Sequence, residues 1–335
     1  MPTMKAIRVD EWGGPEVLQM TDVPQPSPGP GEVLIQVAAA SVNYADTMQR
    51  RGTYPGGPEP PFIPGLEVAG HIVARGDGVH DVEEGQPVMT FTGGRGYAEF
   101  VVVPAHLVMP LPEGYRLEEA AAFPIVFLTA YFALKSFGRL TAGESVLIHA
   151  AAGGVGTAAV QLAKQMGARV FATASSEEKL QRVRELGADE LINYKEQDFA
   201  EIVRRITGGR GVDLILEMVG GEVFQKSLDA LAPFGRLVTY GIAGGRPAPV
   251  TNRQLILNNL TVAGVNLNLI ARTPRLATTM RELLEFIRGT RIRPIIGHTF
   301  ELGQAAEAHR LLESRESFGK IILKPGPPAS ATTRQ

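Results

Sequence analysis

The run Val146-Leu-Ile-His-Ala150-Ala-Ala-Gly153-Gly154-Val155-Gly156 sets small residues at three-residue intervals, at Ala150, Gly153 and Gly156. An apolar β-type stretch precedes it and an apolar helical stretch follows. Small residues permit a tight turn and let the backbone approach a pyrophosphate. The helix N-terminus then offers N–H groups and partial positive charge. The spacing alone is common. Set between a strand and a helix, with further strand–helix units behind it, it reads as a dinucleotide-binding loop. The next strand ends Ala172-Thr-Ala-Ser175-Ser176, with Lys179 one helical turn on. An NAD site usually carries Asp or Glu at that strand end to hold the ribose hydroxyls. Hydroxyls and a cation suit the 2′-phosphate of NADP instead, so NADPH is expected over NADH. Ser175 or Ser176 also suits the N-cap of the next helix, and Glu177 and Glu178 are the acids a first helical turn favours.

Other residues invite chemistry and have a plainer reading. Asp46 and Glu67 could form a catalytic carboxylate pair, but a structural salt bridge or capping role suits them better, at the start of a turn and of a strand. His149 closes the strand before the glycine loop and is expected to be hydrogen-bonded within the fold. Tyr131-Phe-Ala-Leu-Lys135 has the Tyr-x-x-x-Lys spacing of short-chain dehydrogenases, but it precedes the glycine loop where those enzymes place it far behind. Gly319-Lys320-Ile321 lacks the upstream Gly and the Ser/Thr of a P-loop. The chain has no cysteine, so it offers no disulfide scaffold, thiol nucleophile or Cys-ligated zinc.

These residues need elements to hold them. Short β-rich runs at 5–9, 17–23, 32–42, 66–75, 87–91 and 97–103 are separated by Gly/Pro turns, which suggests a barrel-like or sandwich domain. The stretch 117–137 is helical in composition. From residue 145 strands alternate with helices: strands at 145–150, 169–175, 191–194, 212–218 and 236–242, helices at 155–166, 177–186, 199–206 and 223–231. That alternation makes a doubly wound parallel sheet, with 261–265 as its last strand. Helices at 277–288 and 305–316 lie beside β-type segments at 292–302 and 320–323. The tail at 325–335 is rich in Pro, Ala, Ser and Thr and is expected to be mobile. With 33 Lys+Arg against 35 Asp+Glu the net charge is −2, which draws neither nucleic acid nor anionic membrane. The uncharged run at 120–134 is too short to span a bilayer, and the run at 145–163 is interrupted by His149 and three glycines. The N-terminal residues lack the apolar stretch of a signal peptide. A soluble cytoplasmic protein is expected.

Several motifs together resemble the medium-chain dehydrogenase/reductase superfamily, in its zinc-free, zeta-crystallin-like quinone oxidoreductase branch. They are Val42-Asn-Tyr-Ala-Asp-Thr47, Arg51-Gly-Thr-Tyr54-Pro, Pro64-Gly-Leu-Glu-Val-Ala-Gly70, Phe127-Leu-Thr-Ala-Tyr131, the glycine loop, Ile192-Asn-Tyr194-Lys-Glu196 and Gly319-Lys320-Ile-Ile-Leu323. The resemblance spans nearly the whole chain. It implies an α/β fold, with a GroES-like β-rich catalytic domain at 1–124 and 268–335 and a Rossmann NADPH-binding domain at 125–267. Zinc-dependent relatives hold their metal with a Cys and with the His of a Gly-His-Glu motif. Here the match is Gly65-Leu66-Glu67, and Leu cannot ligate. What remains is hydride transfer from NADPH to a small electrophile such as a quinone. An enone or 2-enoyl-thioester reductase, or a non-catalytic NADPH-binding protein, are the alternatives.

The same resemblance implies site residues. Ala152, Gly153, Gly154 and Val155 match the phosphate loop, and Ser175, Lys179 and Tyr194 the surroundings of the 2′-phosphate. Tyr240, Gly241, Ile242 and Ala243 match the stretch passing the nicotinamide ribose. Asn266, Leu267 and Asn268 match a segment beside the nicotinamide, and Lys320 a C-terminal cofactor lysine. Asn43, Tyr54 and Thr129 resemble residues lining the nicotinamide and substrate. Tyr54 is the first candidate proton donor, with Tyr44 a second. The alternative is that Tyr54 stacks near the nicotinamide and water delivers the proton. Relatives often pair through the last strand of the dinucleotide domain, so a homodimer through 261–265 is implied.

Overall fold

A computed structural model describes residues 2–326; the expectation of a mobile tail falls largely on 327–335, outside the described residues. The chain forms two compact units, one running to Pro124 and resuming at Pro294, the other spanning Ile125–Arg293. The first opens with β1 (Thr3–Arg8), β2 (Gln19–Pro24), β3 (Glu32–Val42), α1 (Tyr44–Arg50), β4 (Glu67–Arg75), β5 (Pro87–Phe91), β6 (Phe100–Pro104), β7 (Val108–Pro110) and α2 (Leu117–Ala121). The helix α3 (Pro124–Tyr131) leads into the second, which holds β8 (Ser145–Ile148), α4 (Gly154–Gln165), β9 (Arg169–Ala174), α5 (Glu177–Glu185), β10 (Glu190–Asn193), α6 (Phe199–Ile206) and β11 (Val212–Glu217). It continues with α7 (Gly221–Asp229), β12 (Leu231–Thr239), α8 (Asn252–Asn258), β13 (Thr261–Gly264), α9 (Leu267–Ile270) and α10 (Arg275–Ile287). The return to the first unit consists of β14 (Ile296–Glu301), α11 (Ala305–Glu313) and β15 (Lys320–Lys324).

In the first unit β14-β15-β3-β4-β5-β7 form one sheet, with β6 also paired to β3 and with β1 and β2 as a separate antiparallel pair. Alternation along β3 turns Val33, Ile35 and Val37 into a core that also holds Ile72, Val101 and Ile321. The second unit is a parallel sheet in the order β10-β9-β8-β11-β12-β13. The strand order reverses between β8 and β11, which is where a doubly wound sheet opens a ligand crevice.

One expectation is refined and one is corrected. The stretch 117–137 is helical, as its composition suggests, but it breaks at Pro124. Pro124 has no N–H to continue the turn begun by α2, so α3 starts afresh there. A wider turn over Phe132–Phe137 then closes through the Gly138 N–H to the Ala133 carbonyl at 2.9 Å. The return to the first unit comes at Pro294 and not at 268. Residues 268–293 stay with the second unit because α10 packs there. Phe286 meets Tyr131 at 5.9 Å between ring centroids, and Arg275 lies 5.9 Å from the centre of the Phe137 ring. Gln161 on α4 clasps Arg293, donating to its carbonyl at 3.0 Å and accepting from its N–H at 3.1 Å.

Candidate active site

In a parallel sheet all strands end on one side, and the sequence-predicted cofactor residues of the second unit gather on that edge. After β8 the chain turns through His149 and through Ala150, whose φ is +49°. The Ala151 N–H donates to the Thr173 carbonyl of β9 at 2.9 Å, and the Gly153 N–H to the Ala150 carbonyl at 2.9 Å. Gly153 is the N-cap of α4, so Gly154, Val155 and Gly156 form its first turn, whose N–H groups have no partner within the helix. A Cβ on Gly156 would collide with the Ala150 carbonyl and the Ala151 backbone. Only glycine lets this helix start so close to the loop. His149 closes the strand inside the fold, with Nε2 2.9 Å from the Ser227 hydroxyl and Nδ1 3.3 Å from that of Thr173. Burial lowers its pKa to about 3, so it is neutral.

The end of β9 carries no acid. Asn193 of β10 pairs with Ala174 of β9, so Ser175 and Tyr194 are the next residues on adjacent strands. Ser176, not Ser175, caps α5: its hydroxyl accepts the Lys179 N–H at 3.3 Å. Ser175, the partly exposed Lys179 and the exposed ring of Tyr194 thus collect at one corner. Further along the edge, Tyr240 and Ala243 donate N–H groups to the carbonyls of Glu217 and Met218 at 3.1 and 2.8 Å, which lays Gly241 and Ile242 across the end of β11. The Val265 N–H bonds the Thr239 carbonyl at 2.8 Å, and Asn266 then caps α9 through its Oδ1 to the Leu269 N–H at 3.2 Å, with Leu267 and Asn268 in that helix's first turn.

Glu217 is a residue that sequence reasoning missed. It is fully buried at the end of β11 and accepts the N–H groups of Val219 and Gly220 at 2.6 and 2.7 Å. Burial raises its pKa against those bonds. An acid closing the apolar run Leu214-Ile-Leu216 was the available signal.

In the first unit Asn43 ends β3 beside Lys320 of β15 and Glu67 of β4. The Lys320 ammonium donates to the Val42 carbonyl at 2.9 Å, Asn43 Oδ1 at 2.6 Å and Glu67 Oε1 at 3.1 Å. The Asn43 amide in turn donates to Glu67 Oε1 at 3.0 Å and the Ser41 carbonyl at 3.3 Å. An ammonium has three N–H donors and an amide two, so these bonds engage every N–H of both side chains. Lys320, implied by the resemblance as a cofactor lysine, and Asn43, implied as an acceptor-lining residue, thus hold each other at the end of β3. Both are buried. Tyr54 is half-buried in the loop after α1, its carbonyl accepting the Gly57 N–H at 2.9 Å. Thr129 is buried on α3, in the other unit.

A second cluster gathers Tyr97, His309 and Arg50, which sequence reasoning missed, around Asp46, for which it favoured a capping or salt-bridge role. Asp46 Oδ2 accepts the Asn43 N–H at 2.8 Å and the Tyr97 hydroxyl at 3.1 Å. The other side of that hydroxyl lies 3.2 Å from Nε2 of His309 on α11. Arg50, on the same face of α1 as Asp46, is fully buried and pairs with Glu313. Burial, set against the Asn43 bond and the Lys320 charge, raises the Asp46 pKa to about 7. Burial and the charges of Arg50 and Arg51 lower that of His309 to about 3.

Residues 29–113 match the alcohol dehydrogenase GroES-like domain, and residues 154–287 match the zinc-binding dehydrogenase family. The quinone oxidoreductase of Rattus norvegicus is 38% identical over 330 residues, covering 96% of this chain and 97% of its own. The Escherichia coli quinone oxidoreductase complexed with NADPH superposes with a TM-score of 0.90 at 32% identity, over 96% of this chain and 100% of that one. A mycobacterial protein complexed with NADPH gives 0.89 at 38% identity, over 96% and 100%.

Proposed function

The chain belongs to the medium-chain dehydrogenase/reductase superfamily, among its quinone oxidoreductases, and we propose that it transfers hydride from NADPH to a quinone or a similarly activated carbonyl acceptor. The observation that carries this reading is identity to quinone oxidoreductases over nearly the full length of both chains, together with an acid-free end of β9 beside Lys179. When bound, NADPH supplies the hydride.

This chain's residues fit that cofactor. Gly156 clears the approach to the phosphate loop, the first turn of α4 directs N–H groups to the pyrophosphate, and Ser175, Lys179 and Tyr194 receive the 2′-phosphate. The strand-end segments 240–243 and 266–268 hold the nicotinamide ribose and ring. Tyr54 or solvent delivers the proton that the reduced acceptor requires.

The residues do not fit the zinc that the name of one matching family implies. No thiolate exists in the chain, Leu66 has no ligand atom, and the Glu67 carboxylate is already paired with the Lys320 ammonium. Polarisation of the acceptor therefore has to come from hydrogen bonds, which suits an acceptor as electrophilic as a quinone. Edge strand β13, flanked by the exposed apolar residues Ile256, Leu257 and Leu269, supports pairing of two copies into a continuous sheet. Among the described residues no helix is long and apolar enough to cross a membrane. A cysteine-free chain with a soluble cofactor fits the cytoplasm.

The test is NADPH oxidation by the purified protein with 1,4-benzoquinone and crotonyl-CoA in parallel, with NADH as the cofactor control. Quinone turnover with NADPH is the expected result. Thioester turnover alone moves the assignment to an enoyl reductase. NADPH binding with neither turnover leaves a cofactor-binding protein and overturns the reading.

A further inference from the structure

Four elements of the first unit converge behind Asn43. Asp46 is the third residue of α1, and its Oδ2 accepts the backbone N–H of Asn43, which fixes the residue where β3 becomes helix. Tyr97 reaches that same oxygen, and His309 of α11 lies behind Tyr97 with the rings edge to face at 5.8 Å. All three side chains are fully buried. Asp46 Oδ1 and His309 Nδ1 have no hydrogen-bond partner. The carboxyl thus has one oxygen held by two donors and one held by none. It accepts or loses a proton without any of its existing bonds having to leave.

We propose that Asp46 is a positioning residue for the acceptor site, its carboxyl anchoring the backbone of Asn43 more firmly when ionised than when protonated, so that one buried proton adjusts hydride transfer. This rests on the proposed oxidoreductase reading. The charged groups around it decide when that proton binds. Lys320 of β15 favours the carboxylate, and Glu67 of β4 opposes it. Arg50, one turn along α1, is matched by Glu313 of α11, with Arg51 and Glu16 nearby. Tyr97 has its pKa pushed well up by burial and by Asp46, and His309 has its pKa pushed down, so both stay neutral. Of Asp46, Tyr97 and His309, Asp46 is the one that changes charge near neutrality, where burial has raised it to about 7. The side chain of Asn43 is held separately by Lys320 and Glu67. Protonating Asp46 therefore slackens the backbone anchor and leaves the side-chain anchor in place. A charge-assisted bond is roughly twice as strong as a neutral one, which predicts a change in kcat of about fivefold and no collapse of activity.

The experiment measures kcat and the KM for NADPH, with 1,4-benzoquinone as acceptor, across the neutral pH range. The wild type is expected to lose about fivefold in kcat as pH falls through 7, at unchanged KM for NADPH. Asp46→Asn keeps the shape of the carboxyl and cannot ionise, so its kcat is expected to stay at the low-pH value throughout. Tyr97→Phe removes a bond to the carboxylate and is expected to move the ionisation to higher pH. A pH limb that survives in Asp46→Asn, or one that Tyr97→Phe leaves in place, overturns the proposal. Infrared difference spectra, wild type minus Asp46→Asn, follow the carboxylic C=O band without any turnover. A band that titrates near 7 is expected, and a carboxyl still ionised well below neutrality overturns the proposal. A titrating band with no quinone turnover sinks the oxidoreductase reading and leaves the proton site standing. If Asp46→Asn does not fold, Tyr97→Phe against wild type decides by the same shift.

Discussion

Lys179 and Tyr54 are the side chains on which single substitutions speak most directly. Lys179 sits one turn into α5, beside a strand end with no acid. A cation there distinguishes the two cofactors only through the 2′-phosphate. Lys179→Glu is expected to weaken NADPH by about tenfold to a hundredfold, the worth of a charge-assisted bond, and to leave NADH nearly unchanged in a fluorescence titration. A uniform loss would mean that the residue acts on folding. Tyr54→Phe deletes one hydroxyl. If that hydroxyl protonates the reduced acceptor, kcat is expected to fall by about a hundredfold, in the range of general acid catalysis, with the Kd for NADPH unchanged. Full activity in the variant assigns the proton to solvent. The two residues also differ in legibility. The strand-end context of Lys179 was readable from spacing, whereas the role of Tyr54 came only from resemblance.

At the scale of elements, the start of α4 carries the cofactor argument. The helix begins at Gly154 because Gly153 caps it and because Gly156 allows its first turn to lie on the Ala150 carbonyl. Gly156→Ala pushes a methyl group into backbone that has no room to move. Urea denaturation is expected to show a loss of about 1–3 kcal/mol, accompanied by weaker NADPH binding. An unchanged midpoint and Kd would show that the helix can shift to make room. The boundaries of such elements were readable wherever the chain punctuates itself with Gly, Pro or a cap, as at β3, β5 and α6. They were left unmarked inside 117–137, where a single proline divides the helical stretch. The short helices α1, α8 and α9 offered too few turns to show a period.

At the scale of the whole molecule, buried titratable groups set how stability responds to acid. His149 is neutral in the fold, with its pKa lowered from 6.5 to about 3 by burial. Unfolded chains take up a proton at that side chain once pH drops below 6.5, and folded ones do not. Its contribution is thus present above that pH and is lost progressively as pH falls toward about 3. His149→Gln is expected to reduce the loss of stability at pH 5 by about 2 kcal/mol relative to the wild type, read from denaturation midpoints at pH 7.5 and 5. Equal acid sensitivity would show that another group dominates. Asp46 works in the opposite direction. Its pKa is raised from 3.8 to about 7, so the folded state holds the proton longer, and stability from this group declines as pH rises from about 4 to 7. Asp46→Asn is therefore expected to gain in melting temperature against the wild type on going from pH 4 to pH 8. A constant difference between the two would show that burial does not hold the proton on Asp46.

What the sequence determined by itself was local in its physics. A glycine spacing between a strand and a helix, the alternation of β and α segments, the missing acid after β9 and the absence of cysteine each reside in a few adjacent residues. They were enough for a two-domain α/β chain with a dinucleotide-type loop, and the solved structures it resembles include complexes with NADPH. The tertiary structure decided where distant side chains end. Tyr97 meets Asp46 across 51 residues and His309 across 212. Lys320 turns inward to Glu67 and Asn43 across 253 and 277 residues. The return to the first unit waits for the packing of α10 and the clasp of Gln161 on Arg293. None of these is a matter of spacing along the chain. Each follows from sheet register and from burial, which together choose the partner a polar group must find.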